Sequence, residues 1–129
     1  MGDVDQKGPM TLEAGVELFN AGRYWAAHEA WEEVWMLDRH GPDGDFWKGL
    51  IQVAAGCLHA QRQNRRGTQN KLSGGLSLLT PFRPRHLSVE LEPLLAVVEA
   101  NLAALQCSRA AWPALASPFV ARSSPAADS

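Results

Sequence analysis

Eight consecutive residues, His28-Glu29-Ala30-Trp31-Glu32-Glu33-Val34-Trp35, place a histidine, three carboxylates and two indoles within two turns of one helix. At ~100° per residue, His28, Glu32 and Trp35 fall within roughly 60° of one another. Apolar Tyr24, Ala27, Trp31 and Val34 flank that stripe on one side, and Trp25 and Met36 on the other. A protonatable ring and a carboxylate thus sit inside an apolar face. A later helical segment offers a counterpart, because Gly49, Gln52, Gly56 and His59 lie within about 80° of arc at the same helical period. Two glycines seven apart let a neighbouring backbone approach, at about 1 kcal/mol of helix propensity each. The wheels predict that the His28 helix docks there, so that His28 and Glu32 face Gln52 and His59.

Three chemistries fit those residue types. His28, Glu32 and His59 could share a divalent metal, since His and Glu at i and i+4 reach one coordination sphere. A carboxylate of Glu29 or Glu32 could tune His28 or His59 for general acid–base catalysis without a metal. The same groups could simply satisfy one another by hydrogen bonds, as buried polar groups must. The string His-Glu-x-x-Glu is neither the zincin His-Glu-x-x-His nor the paired Glu-x-x-His of di-iron bundles. Gln52, Trp31, Trp35 and Lys71 complete the candidate ligand wall, Lys71 by laying its stem along the apolar edge towards Glu29 or Glu32.

Five helical segments must position these groups, over about 11–20, 24–38, 46–63, 68–79 and 88–106. Thr11 and Asp43 or Asp45 are candidate caps, and the stops are Asn20-Ala21-Gly22, residues 40–45, Asn64 to Gly67, and Pro81 with Pro84. Pro93 is tolerated only in the first turn of the last helix. No segment alternates as a strand. The reading is all-α: a compact five-helix bundle built from helical hairpins. The first hairpin is tetratricopeptide-like, with Gly15, Leu18, Tyr24, Ala27, Trp31 and Val34 at that spacing. Residues 1–10 read as a flexible leader, 11–107 as one helical domain, and 108–129 as an Ala/Ser/Pro-rich tail. Trp112 and Phe119 would anchor the tail, and 121–129 would be disordered.

The chain has 129 residues, enough for one core without staples. Its two cysteines match no metal or redox spacing, and Cys57 reads as a small buried hydrophobe. The absence of a long apolar run or signal pattern makes a cytoplasmic, non-membrane protein the expectation. Charge is uneven: residues 1–45 carry ten acids and three bases, whereas 46–89 carry seven bases and no acid. Either the acidic and basic thirds meet across an interface, or the middle third holds an anion. Arg62, Arg65 and Arg66 are a phosphate site or an ordinary basic connector. Nucleic acid is disfavoured by the few bases and the lack of an aromatic-basic platform, although Arg62, Arg65, Arg66 and Arg85 leave that contact testable by salt dependence.

Taken in order, Phe19-Asn20-x-Gly22-x-Tyr24-x-x-Ala27-His28-Glu29-x-Trp31-Glu32-x-x-Trp35, then Gly49-Leu50-Ile51-Gln52-x-Ala54-Ala55-x-x-x-His59, then Asn64-x-x-Gly67, resemble the prokaryotic family called domain of unknown function 309. The likeness spans about residues 12–82. It implies a small all-helical fold with no assigned activity, and its signature falls on His28, Glu29, Trp31, Glu32, Trp35, Gln52 and His59. The expected function is a polar cleft between the second and third helices that binds a small polar ligand or metal ion. The alternative is a protein-interaction or self-association module, homo-oligomeric or with a partner helix, using Trp25 or Trp47.

Overall fold

The computed structural model describes residues 12–108 and 111–123. Five helices occur among them: α1 Leu12–Asn20, α2 Tyr24–Asp38, α3 Gly44–Gln61, α4 Arg65–Leu79 and α5 Leu91–Cys107. A single turn of 3-10 helix, Thr80–Phe82, follows α4. Three two-residue strands, β1 Arg85–His86, β2 Val89–Glu90 and β3 Ala121–Arg122, form an antiparallel sheet in the order β1-β2-β3. The all-helical reading holds, with this small sheet as an addition. The leader expected over 1–10, the Thr11 cap and residues 124–129 lie outside the described residues. No helix among the described residues is long and apolar enough to cross a membrane.

The α1–α2 hairpin is closed by a glycine in the left-handed region. Gly22 has φ +82, its N–H donates to Phe19 O at 2.9 Å, and Arg23 N–H donates to Leu18 O at 2.9 Å. Those two bonds are a Schellman stop, which satisfies the last carbonyls of α1. The helices then run antiparallel. Phe19 meets Tyr24 with ring centroids 5.1 Å apart and Trp31 at 5.7 Å, while a Cβ on Gly15 would lie 2.0 Å from Trp31 Nε1. Trp31 is fully buried and donates its indole N–H to Leu12 O at 3.3 Å. It belongs to the core, not to a ligand wall.

Helices α3 and α4 are joined by a second corner. Gln63 takes φ +53, and Asn64 N–H reaches back to His59 O at 2.9 Å. Asn64 then caps α4, its Oδ1 accepting from Gly67 N–H at 3.0 Å, so α4 begins three residues earlier than expected. With Oδ1 engaged, the Asn64 amide nitrogen donates to His59 Nδ1 at 3.3 Å. Asp43, expected to cap α3, makes no cap bond. Its carboxylate instead pairs with His86 Nε2 at 2.7 Å, and His86 stacks obliquely on Phe46 and Phe82.

The glycine-lined seam of α3 receives α4, not α2. A Cβ on Gly49 would strike Leu79, one on Gly56 would strike Leu72, and one on Gly75 of α4 would lie 3.0 Å from Gly49 O. Glycines on both helices therefore bring the two backbones close. Phe46, Leu50, Val53, Leu72, Leu79, Leu91, Leu94 and Leu95 fill the core beside this seam.

The segment 111–123 returns across the body. Asn101 brackets Ala116 with two amide bonds, 2.9 and 3.0 Å, and Asn20 does the same to Val120 at 3.0 and 2.8 Å. Val120 is buried, whereas Phe119, expected to be an anchor, is 46 % exposed. Ala121 and Arg122, expected within the disordered end, pair with β2. Trp112 does pack, half-buried, with the Arg65 guanidinium 5.9 Å above its ring.

The charge layout resolves differently from the expected meeting of acidic and basic thirds. Arg83 forks onto Glu92 at 2.6 and 2.9 Å and lies 3.6 Å from Glu99. Arg85 pairs with Glu90 at 2.6 Å. Arg83 and Arg85 are thus paired with acids that follow them, and the Arg83 contact holds Glu92 below the usual carboxylate range. Arg65 is structural as well, donating to the carbonyls of Leu105, Ser108 and Ala111 at 2.6, 2.6 and 3.0 Å.

Candidate functional site

The face of α2 that carries the histidine meets α3 beside the glycine seam, with Gln52 common to both. His28, Glu32 and Trp35 from α2, Lys48, Ile51, Gln52 and Ala55 from α3, and Lys71 from α4 line one cavity of about 140 Å³. The i, i+4, i+7 spacing on α2 and the i, i+3, i+4, i+7 spacing on α3 explain why these seven share a wall. Lys71 enters because the close α3–α4 contact brings the exposed edge of α4 to the same rim.

His28 is held by packing. Its ring stacks on Trp25 with centroids 5.2 Å apart and planes within 9°. Its Nδ1 is buried and has no hydrogen-bond partner among the described residues. Gln52 lies in the α3–α4 seam with its carboxamide oxygen where a Cβ on Gly74 would come within 2.5 Å, so Gly74 is the residue that makes room for it. Trp35, half-buried, forms a side wall and carries Arg39 above its ring at 5.9 Å. Glu32, Lys48 and Lys71 are exposed at the mouth. Among the described residues, neither lysine has a carboxylate within 4.0 Å.

Of the residues singled out in the sequence, His28, Glu32, Trp35, Gln52 and Lys71 are brought together. Three others are placed elsewhere. His59 lies against Gly67, where a Cβ would come within 2.6 Å of the ring, and serves the α3–α4 corner through Asn64. Glu29 is exposed and shares an outer depression with Glu32, Glu33 and Met36. Trp31 is core. The triad His28, Glu32 and His59 is therefore not assembled, and among the described residues no group of three His, Cys, Asp or Glu side chains is placed to hold a metal. Lys48 is the site residue that the sequence reading missed. It stands one turn before Gln52 on the same stripe, so its position on the wheel was the available signal.

A second cavity of about 230 Å³ lies beneath the returning segment, with Tyr24, Cys57, Gln61, Asn101, Trp112 and Ser117 in its lining. Its polar groups are largely engaged: Asn101 with Ala116, and Gln61 with Gly22 O at 3.4 Å. Burial pushes the Cys57 thiol up from 9.0 to about 12. Burial also raises Tyr24, aided by Cys57 and opposed by a hydrogen bond with Ser117. A neutral thiol beside satisfied partners suits packing better than chemistry. Of the Trp-rich surface expected for protein interaction, Trp47 is buried while Trp25 is 56 % exposed.

Residues 12–70 match the model of a family described as Domain of unknown function (DUF309). The chain is also similar to the uncharacterized protein YpuF of Bacillus subtilis (strain 168), with 33% identity over 75 residues. That alignment covers 58% of this chain and 41% of the relative, so the chain spans about two-fifths of the length of the protein it matches. His28, Glu32, Trp35, Lys48 and Gln52 all fall inside the matched segment, and Lys71 directly follows it.

Proposed function

We propose, from the premise that residues 12–70 match the model of the domain of unknown function 309 family, that the cleft between α2, α3 and α4 is a binding site for a small polar ligand contacted by His28. One observation carries this reading: the buried Nδ1 of His28 has no hydrogen-bond partner among the described residues. An unsatisfied buried polar atom costs ~1–3 kcal/mol. A phenyl ring would fill the same space and stack on Trp25 without that cost. The imidazole is therefore a poor choice for packing alone, and its ring is part of the lining that an incoming group would meet. A cavity of about 140 Å³ approaches the volume of about 150 Å³ that holds a benzene-sized molecule.

The test is His28→Phe, which keeps the stacked ring and removes both nitrogens. Binding of small charged and neutral polar compounds is followed through the part of the intrinsic tryptophan fluorescence change that is lost in Trp35→Phe. The substitution should leave the melting temperature unchanged or raise it by a few degrees while abolishing binding. A melting temperature lowered by several degrees would instead make the imidazole a strut of the fold, and the proposal would fail.

A further inference from the structure

Resting on the reading of the cleft as a ligand site, we infer that its ligand is a compact oxyanion, a carboxylate or phosphate group seated between Lys48 and Lys71. The cavity lining carries two ammonium groups, one carboxylate, one carboxamide and one imidazole. Leaving the imidazole aside, its formal charge is positive by one. Of the five arginines in the middle third, three are engaged, Arg65 by three carbonyls, Arg83 by Glu92 and Arg85 by Glu90, while Arg62 and Arg66 are exposed and do not line this cavity. Lys48 and Lys71 differ. They come from different helices, open onto one cavity, and have no carboxylate within 4.0 Å among the described residues.

Two ammonium groups at one mouth repel each other, and a shared anion removes that repulsion. Charge-assisted hydrogen bonds from lysine to an oxyanion are roughly twice as strong as neutral ones. Gln52 and His28 line the same cavity and supply further polar contacts. Trp35, Ile51 and Ala55 leave a short apolar wall for a few carbon atoms. Glu32, exposed at the rim and shared with the outer acidic depression, faces the positive end or hydroxyl of the ligand and turns away larger polyanions.

The experiment is a titration of the full chain at fixed ionic strength with four probes of similar size: inorganic phosphate, acetate, glycerol and ethylammonium. The side-chain N–H signals of Gln52 and the ring signals of His28 are read by NMR. Saturable shifts with phosphate or acetate, weakened about tenfold or more in Lys48→Met and in Lys71→Met, support the inference. Phosphate alone or acetate alone then distinguishes a phosphoryl from a carboxylate ligand. Both lysines are exposed, and the fold of each variant is checked by the unchanged core methyl spectrum. Shifts with glycerol or ethylammonium but not with either anion would overturn the oxyanion while keeping the cleft as a binding site. Anion shifts that survive both lysine substitutions would also overturn it. No saturable shift with any of the four would overturn the inference and the cleft reading together.

Discussion

Replacing Gly15 with alanine tests the packing on which the His28 face depends. The new Cβ would stand 2.0 Å from Trp31 Nε1 and 2.4 Å from both Cδ1 and Cε2. Ordinary contact begins near 3.4 Å, so the indole or helix α1 must shift by at least about 1.4 Å. Trp31 is fully buried, and overpacking of that kind costs ~1–3 kcal/mol. The shift also breaks the indole bond to Leu12 O, worth about 1 kcal/mol. Against this, alanine is favoured over glycine inside a helix by roughly 0.5–1 kcal/mol. The balance is a net loss of about 1–3 kcal/mol, or a fall in melting temperature of about 4–12 °C for a domain of this size. Urea denaturation gives the free energy directly. The same substitution in a Trp31→Phe background, which lacks Nε1, should cost less, with a coupling of at least ~0.5 kcal/mol. A Gly15→Ala variant as stable as the parent, or more so, would refute the reasoning by showing that Trp31 is free to move.

Three further outcomes follow from the same structure. Arg65→Ala should lower stability by about 2 kcal/mol, since its guanidinium satisfies carbonyls at the end of α5; Arg65→Lys should restore less than half, because an ammonium lacks the fork. Equilibrium unfolding of the two variants checks this, and full rescue by lysine would show that charge alone matters. Cys57 should react with a thiol reagent at pH 8 only on unfolding, while exposed Cys107 reacts at once. Because the folded Cys57 thiol is raised from 9.0 to about 12, its contribution is complete below pH 9 and is lost as pH climbs from 9 towards 12. The slope is up to ~1.4 kcal/mol per pH unit. Stability measured from pH 8 to 11 should therefore fall more steeply for the parent than for Cys57→Ala, and equal slopes would contradict the burial argument.

The helices were legible in the sequence because apolar period and turn residues coincide. Where boundaries moved, a side chain had found a different partner: Asp43 went to His86, and Asn64 became a cap. Strands of two residues carry no period, so the sheet had no signal to read. The stripe of His28, Glu32 and Trp35 was visible on a wheel, and it does line a cavity. A wheel gives an angle but not the identity of the neighbour, which is why the Gly49–Gly56 seam was matched to α2. The glycines of α4 decide otherwise, since Gly74 and Gly75 complement that seam and no residue of α2 does. His59 followed the seam in that reading, yet its neighbour in space is Asn64, five residues away. Trp31 shows the converse: an aromatic next to a polar stripe was read as a ligand wall, although its facing residue, Gly15, marks it as core.

The bracketing of Val120 by Asn20 has a consequence for how the chain reaches its final shape. That contact spans 100 residues, whereas the α1–α2 and α3–α4 corners close within a few. Loop-closure entropy makes short-range corners form early and long-range pairing form late. The helical hairpins would thus assemble first, and the returning strand would then zip along β2 and lock the end of α1. Because the segment 111–123 covers the cavity lined by Tyr24 and Asn101 and contributes nothing to the cavity lined by His28, its release would uncover the first and leave the second intact.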